Sequence, residues 1–247
     1  MRIIAVIHGA VKTDCPRRID GKARIQYNKW VRQRRKKGMH WGKLFVSAGL
    51  AGVMISAGGM VYLSCAAKGQ PVAGAVLFAV GLFTVCAYGL ALFTGRVGYL
   101  TVNPPSYLAE LAAVWLGNAA GTLLCGLAAR IALPGAAEGA AALTAAKLSQ
   151  HPVQTVLLGL FCGLLMYIAV DHFRKGAGCG RYLGILLCVP AFILAGFEHC
   201  VADMFYLSAG ASTAQAAACI RFLLLATAGN AAGAVLLPLG RAANTCG

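Results

Sequence analysis

Acidic side chains are nearly missing. Asp and Glu number 7 in 247 residues, and all charged types together make up 12%. A soluble globular domain carries about 25% charged residues, so this composition excludes one. The 10 cysteines include no CxxC pair, and the chain has no HExxH and no GxSG. Those absences remove the common zinc sites, the metallopeptidase helix and the serine-hydrolase elbow. Most of the cysteines sit inside apolar stretches, where the thiol acts as a small hydrophobe. No disulfide framework, metal or other cofactor is expected, and an enzyme is not the favoured class.

What is present is hydrophobic. Apolar residues make up 59% and the mean hydropathy is +0.72. Six apolar runs (44–67, 72–95, 107–133, 153–170, 182–209 and 220–239) approach the length that crosses a bilayer, about 20 residues. The fold class read from this pattern is an all-α membrane protein with six transmembrane helices.

The net charge of +15 invites a nucleic-acid reading, but its distribution argues against one. Thirteen of the 22 Lys and Arg lie in residues 1–43, including "RQRRKK" at 32–37. A basic segment just before a first membrane helix faces anionic lipid on the cytoplasmic side. Counted by alternate sides, eighteen basic residues share the side of residue 1, and four (Lys68, Arg130, Lys147, Arg221) lie opposite. Both termini are therefore expected in the cytoplasm, in a multi-pass protein of the inner (cytoplasmic) membrane. Residues 1–10 are too short for a secretory signal, and residues 11–40 read equally as a basic tail or an amphipathic surface helix. The expected organisation is a basic segment at 1–43, a channel-forming bundle at 44–241 and a short tail at 242–247.

"GNAAG" occurs at 117–121 and again at 229–233, an offset of 112 that pairs the third run with the sixth. The same offset lays Met54 on Met166 and Ala57 on Ala169, pairing the first with the fourth. Two copies of three spans each must be inverted relative to one another, an arrangement that places a binding site between the halves. Asn118 and Asn230 are expected to hydrogen-bond across those halves. The second and fifth runs each contain a break. Gly89, Gly95 and Gly98 lead to "NPP" at 103–105 in one, and "GFEHCVADMF" (196–205) interrupts the other. Broken backbone at membrane depth persists only where it lines a cavity or is buried in protein.

The second interruption holds Glu198, His199 and Asp203. Each ionised group at mid-bilayer costs about 2.5–3.5 kcal/mol on insertion scales, so three together imply a role. On a continuous helix Phe192, Ala195, Gly196, His199 and Asp203 would share one stripe, and Phe78, Leu82, Val85 and Gly89 would form a similar one. His199 can exchange a proton near neutrality and is the expected pore residue. Glu198 is expected to cap backbone amides of the broken second run, and Asp203 to lie in water at the mouth. Lys147, with no acid nearby in sequence, is expected to draw anions to one opening.

These residues carry a family resemblance. "AGVMISAGG" (51–59), "LFTG" (92–95), "WLGNAAG" (115–121), Lys147, "GFEHCVADMF" (196–205) and the second "GNAAG" resemble the formate/nitrite transporter family from about residue 44 to 241. The resemblance implies an aquaporin-like fold in a homopentamer, one pore per protomer, passing small weak-acid anions such as formate, nitrite or hydrosulfide. It implies a cytoplasmic-side constriction at Phe78 and Leu82, another at Phe192, and a pore histidine at His199. Facing that histidine it implies a broken-helix loop at Leu92, Phe93 and Thr94. It further implies a vestibule lysine at Lys147 and supporting polar groups at Asn118, Asn230, Glu198 and Asp203. Three positions depart from the pattern. Gly163 replaces an Asn and is expected to loosen the waist, while Asp203 and Arg96 alter the field at the cytoplasmic end. The expected mechanism protonates the anion, from His199 directly or from water with His199 tuning the field, so that the neutral acid crosses. The partners are then the anion, the bilayer and other copies of the chain. A passive nonselective anion pore is the alternative; an intramembrane hydrolase and a structural scaffold are the rivals from other classes.

Overall fold

The computed structural model describes residues 40–244; most of the expected basic segment 1–43 and the end of the expected tail 242–247 lie outside them. The described residues form α1 (Trp41–Ala66), α2 (Pro71–Ala87), α3 (Thr94–Val97), α4 (Tyr107–Ala132) and α5 (Pro134–Leu148). They continue with α6 (Pro152–Lys175), α7 (Leu183–Leu194), α8 (Cys200–Gly210) and α9 (Ala216–Asn244). Short 3-10 turns join several of them, and no strand occurs among the described residues. The first described helix begins at Trp41 and the last ends at Asn244.

Helices α1, α4, α6 and the last helix are long and apolar enough to cross a membrane, while α2 and α7 are shorter apolar helices. Val46, Leu124, Ile131, Leu187 and Leu224 point outward and are exposed. So broad an apolar surface is costly in water but not in lipid.

Proline at the first helical position opens α2, α5 and α6, where its missing N–H costs nothing and its fixed φ suits the helix. Helix α5 was not expected from the apolar runs. Its alanine-rich sequence favours helix by propensity but is too short to register as a membrane span.

The two breaks are built alike. Helix α2 stops where Gly89 turns to φ +64°, with Leu90 N–H donating to the Val85 carbonyl. Helix α7 stops where Gly196 turns to φ +68°, with Phe197 N–H donating to Phe192. Both are left-handed glycine caps with the long-range bond of a Schellman end. A residue with a Cβ would be strained at either position. Thus the second run ends as a helix at Ala87, well before the "NPP" expected to stop it.

Helix α1 packs along α4, and α6 along α9. Asn118 reaches the Ala48 carbonyl and Asn230 reaches that of Gly159, so matched contacts on α1 and α6 lie 111 residues apart. The single 112 offset therefore fails for this pair. Met54 corresponds to Leu165 and Ala57 to Ile168, one residue away from the expected partners, because the connections between helices differ in length.

Gly163 does not loosen anything. A Cβ there would lie 2.7 Å from the Asn230 Cα and carbonyl carbon, so the glycine is what lets α6 and α9 touch. Gly52 meets the Asn118 main chain in the same way on α1. Restoring the polar residue with Gly163→Asn is expected to cost about 1–3 kcal/mol or more, as overpacking does. A lowered melting temperature in detergent would show it; an unchanged one would contradict the packing argument.

Candidate functional site

Each break leaves backbone groups that the helices no longer satisfy, and one asparagine serves each. Asn118 Nδ2 donates to the carbonyls of Ala48 (2.8 Å) and Ala91 (2.9 Å), and its Oδ1 accepts from Phe93 N–H (2.9 Å). Asn230 Nδ2 donates to Gly159 (2.8 Å) and Glu198 (2.6 Å), and its Oδ1 accepts from Cys200 N–H (2.9 Å). Both side chains are fully buried. Neither bonds across the halves, as had been expected; each holds the break of its own half. Ser47 Oγ assists at the first break by accepting from Ala91 N–H (3.1 Å).

A side-chain hydrogen bond joins the breaks, His199 Nε2 to Thr94 Oγ1 at 2.9 Å. His199 is also the N-cap of α8, its Nδ1 accepting from Ala202 N–H (3.0 Å). A nitrogen that accepts carries no proton, so the neutral ring holds its proton on Nε2 and donates it to Thr94. The Phe192 ring stacks on the imidazole at 5.4 Å and 21°. The Phe78 ring meets Phe192 edge-on at 5.9 Å and 88°. Leu82, Leu92, Phe93 and Thr94 are buried as well. One expectation changes. The stripe through Phe192 and His199 is not helical, since α7 has ended by Leu194; the turn at Gly196 brings the rings together instead. Phe78 and Phe192, expected at separate constrictions, also touch each other in one aromatic contact.

The charged cluster differs further from expectation. Lys147 ends α5 in space between Glu198 and Asp203, paired to the Glu198 carboxylate and to Asp203 Oδ1 at 2.9 Å. Its ammonium lies 5.8 Å from the ring centroids of Tyr206 and Phe222. Its side chain keeps 12% of its exposure, against 1% and 2% for the two acids. Lys147 is therefore not an unpaired attractor. Glu198 does not cap the second run, and Asp203 does not stand in water. Gln150, three residues past Lys147, donates to Glu198 Oε1 (2.7 Å) and accepts from Thr155 (3.0 Å).

The sequence matches the family described as formate/nitrite transporter over residues 27–241. The chain belongs to the formate/nitrite transporter family. Among its relatives, formate channel FocB of Escherichia coli strain K12 is 28% identical over 183 residues, covering 66% of this chain and 64% of FocB. The aligned part of this chain thus spans less than two thirds of that protein. Formate channel FocA of Haemophilus influenzae is 30% identical over 194 residues, 69% of this chain and 67% of its own. Nitrite transporter NirC of E. coli K12 is 28% identical over 188 residues, 69% and 70%. A solved FNT family ion channel superposes with a TM-score of 0.74 at 23% identity, over 90% of this chain and 93% of that one. A pentameric formate channel with formate bound gives 0.68 at 23% identity, over 84% and 98%. These structural likenesses establish a shared fold. Its relatives are channels and transporters, not enzymes.

Within that family frame, three supporting residues escaped the sequence reading. Gln150 and Thr155 buttress Glu198. Arg130, from α4, donates to the carbonyls of Ser208 (3.0 Å) and Ala211, capping the end of α8 opposite His199. Gln150 was legible in principle, one helical turn beyond the singled-out lysine; Arg130 was not, because 78 residues separate it from Ser208.

Proposed function

We propose that this protein is a membrane channel or transporter for small monovalent weak-acid anions of the formate and nitrite class, which cross as the protonated acid. In this reading α1, α4, α6 and α9 span the bilayer, and the broken pairs α2–α3 and α7–α8 complete an aquaporin-like bundle of two inverted three-helix repeats. Five copies assemble, each with its own pore, and both termini face the cytoplasm of the inner membrane.

The observation that carries the reading is the contact between the two breaks. Thr94 and His199 are the polar pair, and Phe78, Leu82 and Phe192 supply apolar walls beside them. An ion loses its hydration against such walls, at about 2.5–3.5 kcal/mol for a charge at mid-bilayer. A neutral acid avoids that cost and finds a hydrogen-bond donor and acceptor waiting. Because Nδ1 already accepts from Ala202, His199 serves as a neutral donor through Nε2. An imidazolium would forfeit the Ala202 bond. Of the two proton sources expected from the sequence, the geometry favours the one in which His199 tunes and orients and is not itself the acid.

Reconstituted liposomes test this directly. Under an inward proton gradient, formate uptake is expected to exceed chloride uptake by roughly a hundredfold, the ratio that about 2.8 kcal/mol supplies. Equal rates would establish the passive, nonselective pore instead.

A further inference from the structure

The charge count of the Lys147 cluster does not close. One ammonium faces two carboxyl groups, and both acids are buried. If all three were ionised, the mouth of an anion pathway would carry a buried excess of negative charge. The geometry offers the resolution. Asp203 uses Oδ1 for Lys147, while its Oδ2 is buried and finds no hydrogen-bond partner among the described residues. Glu198 and Asp203 are held against the same ammonium. Two carboxylates at one ammonium repel, and an ionised oxygen buried without a donor is costly; a proton on Asp203 relieves both.

Resting on the transport reading above, we infer that Lys147, Glu198 and Asp203 form a proton-binding site that holds one proton on Asp203 whenever the vestibule admits an anion. With the proton bound, the cluster is neutral and the ammonium can meet an incoming anion. With the proton lost, the cluster carries one net negative charge and repels it.

Among the described residues, the surroundings show no other base or cation to take over that task. Cys162 of α6 and Cys200 and Tyr206 of α8 lie in electrostatic range of Asp203, and Tyr62 of α1 lies beside Tyr206. All are neutral groups at ordinary pH. Helix α9 contributes the Phe222 ring against Lys147. Arg130 of α4 is engaged at the far end of α8. His199 stands one turn before Asp203, its carbonyl accepting from Asp203 N–H, with both ring nitrogens occupied. The 12% exposure of Lys147 gives the proton a route to water on that side.

Asp203→Asn, nearly isosteric, removes the site while keeping a partner for Lys147. Infrared spectroscopy of the full-length protein in liposomes should show the carbonyl stretch of a protonated carboxyl at neutral pH, and that band should vanish in the variant. Formate uptake, measured at a series of external pH values, supplies the second readout. The variant-to-wild-type rate ratio is expected to be near one in acid and to rise at least about tenfold in alkali, as a unit charge a few ångströms away would dictate. Glu198→Gln should also abolish the band, which keeps the test open if Asp203→Asn assembles poorly. A wild type without the band, a band that survives both substitutions, or a rate ratio flat with pH overturns the proposal. Wild-type liposomes that ignore formate would instead sink the transport reading, while the infrared band would still decide where the proton lies.

Discussion

Asn230→Leu is expected to abolish formate uptake by the reconstituted protein and to lower its melting temperature by a wide margin. The side chain is fully buried and makes three bonds to main-chain groups, at 2.6, 2.8 and 2.9 Å. Leucine keeps the branched shape, with bulkier methyl groups, and satisfies none of them. Each orphaned buried group costs about 1–3 kcal/mol, so the three together lose on the order of 3–9 kcal/mol, comparable with the whole stability of many domains. Two of the orphaned groups, the Glu198 carbonyl and the Cys200 N–H, flank His199 in the chain. The break would move to find new partners and carry the imidazole away from Thr94. Asn230→Asp is expected to be no milder, since it keeps the acceptor for Cys200 but sets a carboxylate against two carbonyl oxygens. Trp115→Phe is the comparison: it removes one half-buried bond to Thr227 (3.0 Å) and should cost only about 1 kcal/mol. If Asn230→Leu melts and transports like the wild type, the asparagine does not hold the break.

The asparagines show how far the sequence alone could reach. Repetition of "GNAAG" marked both positions, and burial of an amide among Gly and Ala marked them as polar work inside lipid. What each amide bonds was not legible, because its partners lie 25 to 70 residues away for Asn118 and depend on where the helices stop. The breaks themselves were visible as glycine and charge inside apolar runs; their ends were not, since positive φ at Gly89 and Gly196 is set by the cap and not by the nearest proline. The helical stripe through His199 failed for the same reason: periodicity holds only while the helix continues. Lys147 is the clearest loss. In sequence no acid neighbours it, yet 51 residues on, Glu198 closes the pair. Helix α5 had to be seen before the three charges could be placed together.

That placement makes Lys147→Met the second severe substitution. Methionine keeps the aliphatic stem and its contact with Tyr206 and Phe222, and removes only the charge. Glu198 and Asp203 then remain buried with no cation. Breaking a buried pair by deleting one partner costs about 3–5 kcal/mol, and here it leaves the Glu198 carboxylate buried without its cation and Asp203 without its donor. The single variant is therefore expected to assemble poorly and to lose nearly all formate uptake. Combining it with Glu198→Gln and Asp203→Asn removes every charge while preserving shape, and replacing a whole buried ionic group by neutral residues is often neutral or stabilising. The triple variant should recover the melting temperature of the wild type. Its formate uptake should remain low when formate is dilute, because no ammonium is left to concentrate the anion, and should approach that of the wild type as formate is raised. Recovery of stability with rates restored at every concentration would make the cluster a structural knot. Stability that stays low in the triple variant would mean that the ion pairs, and not charge balance, hold α5 against α8.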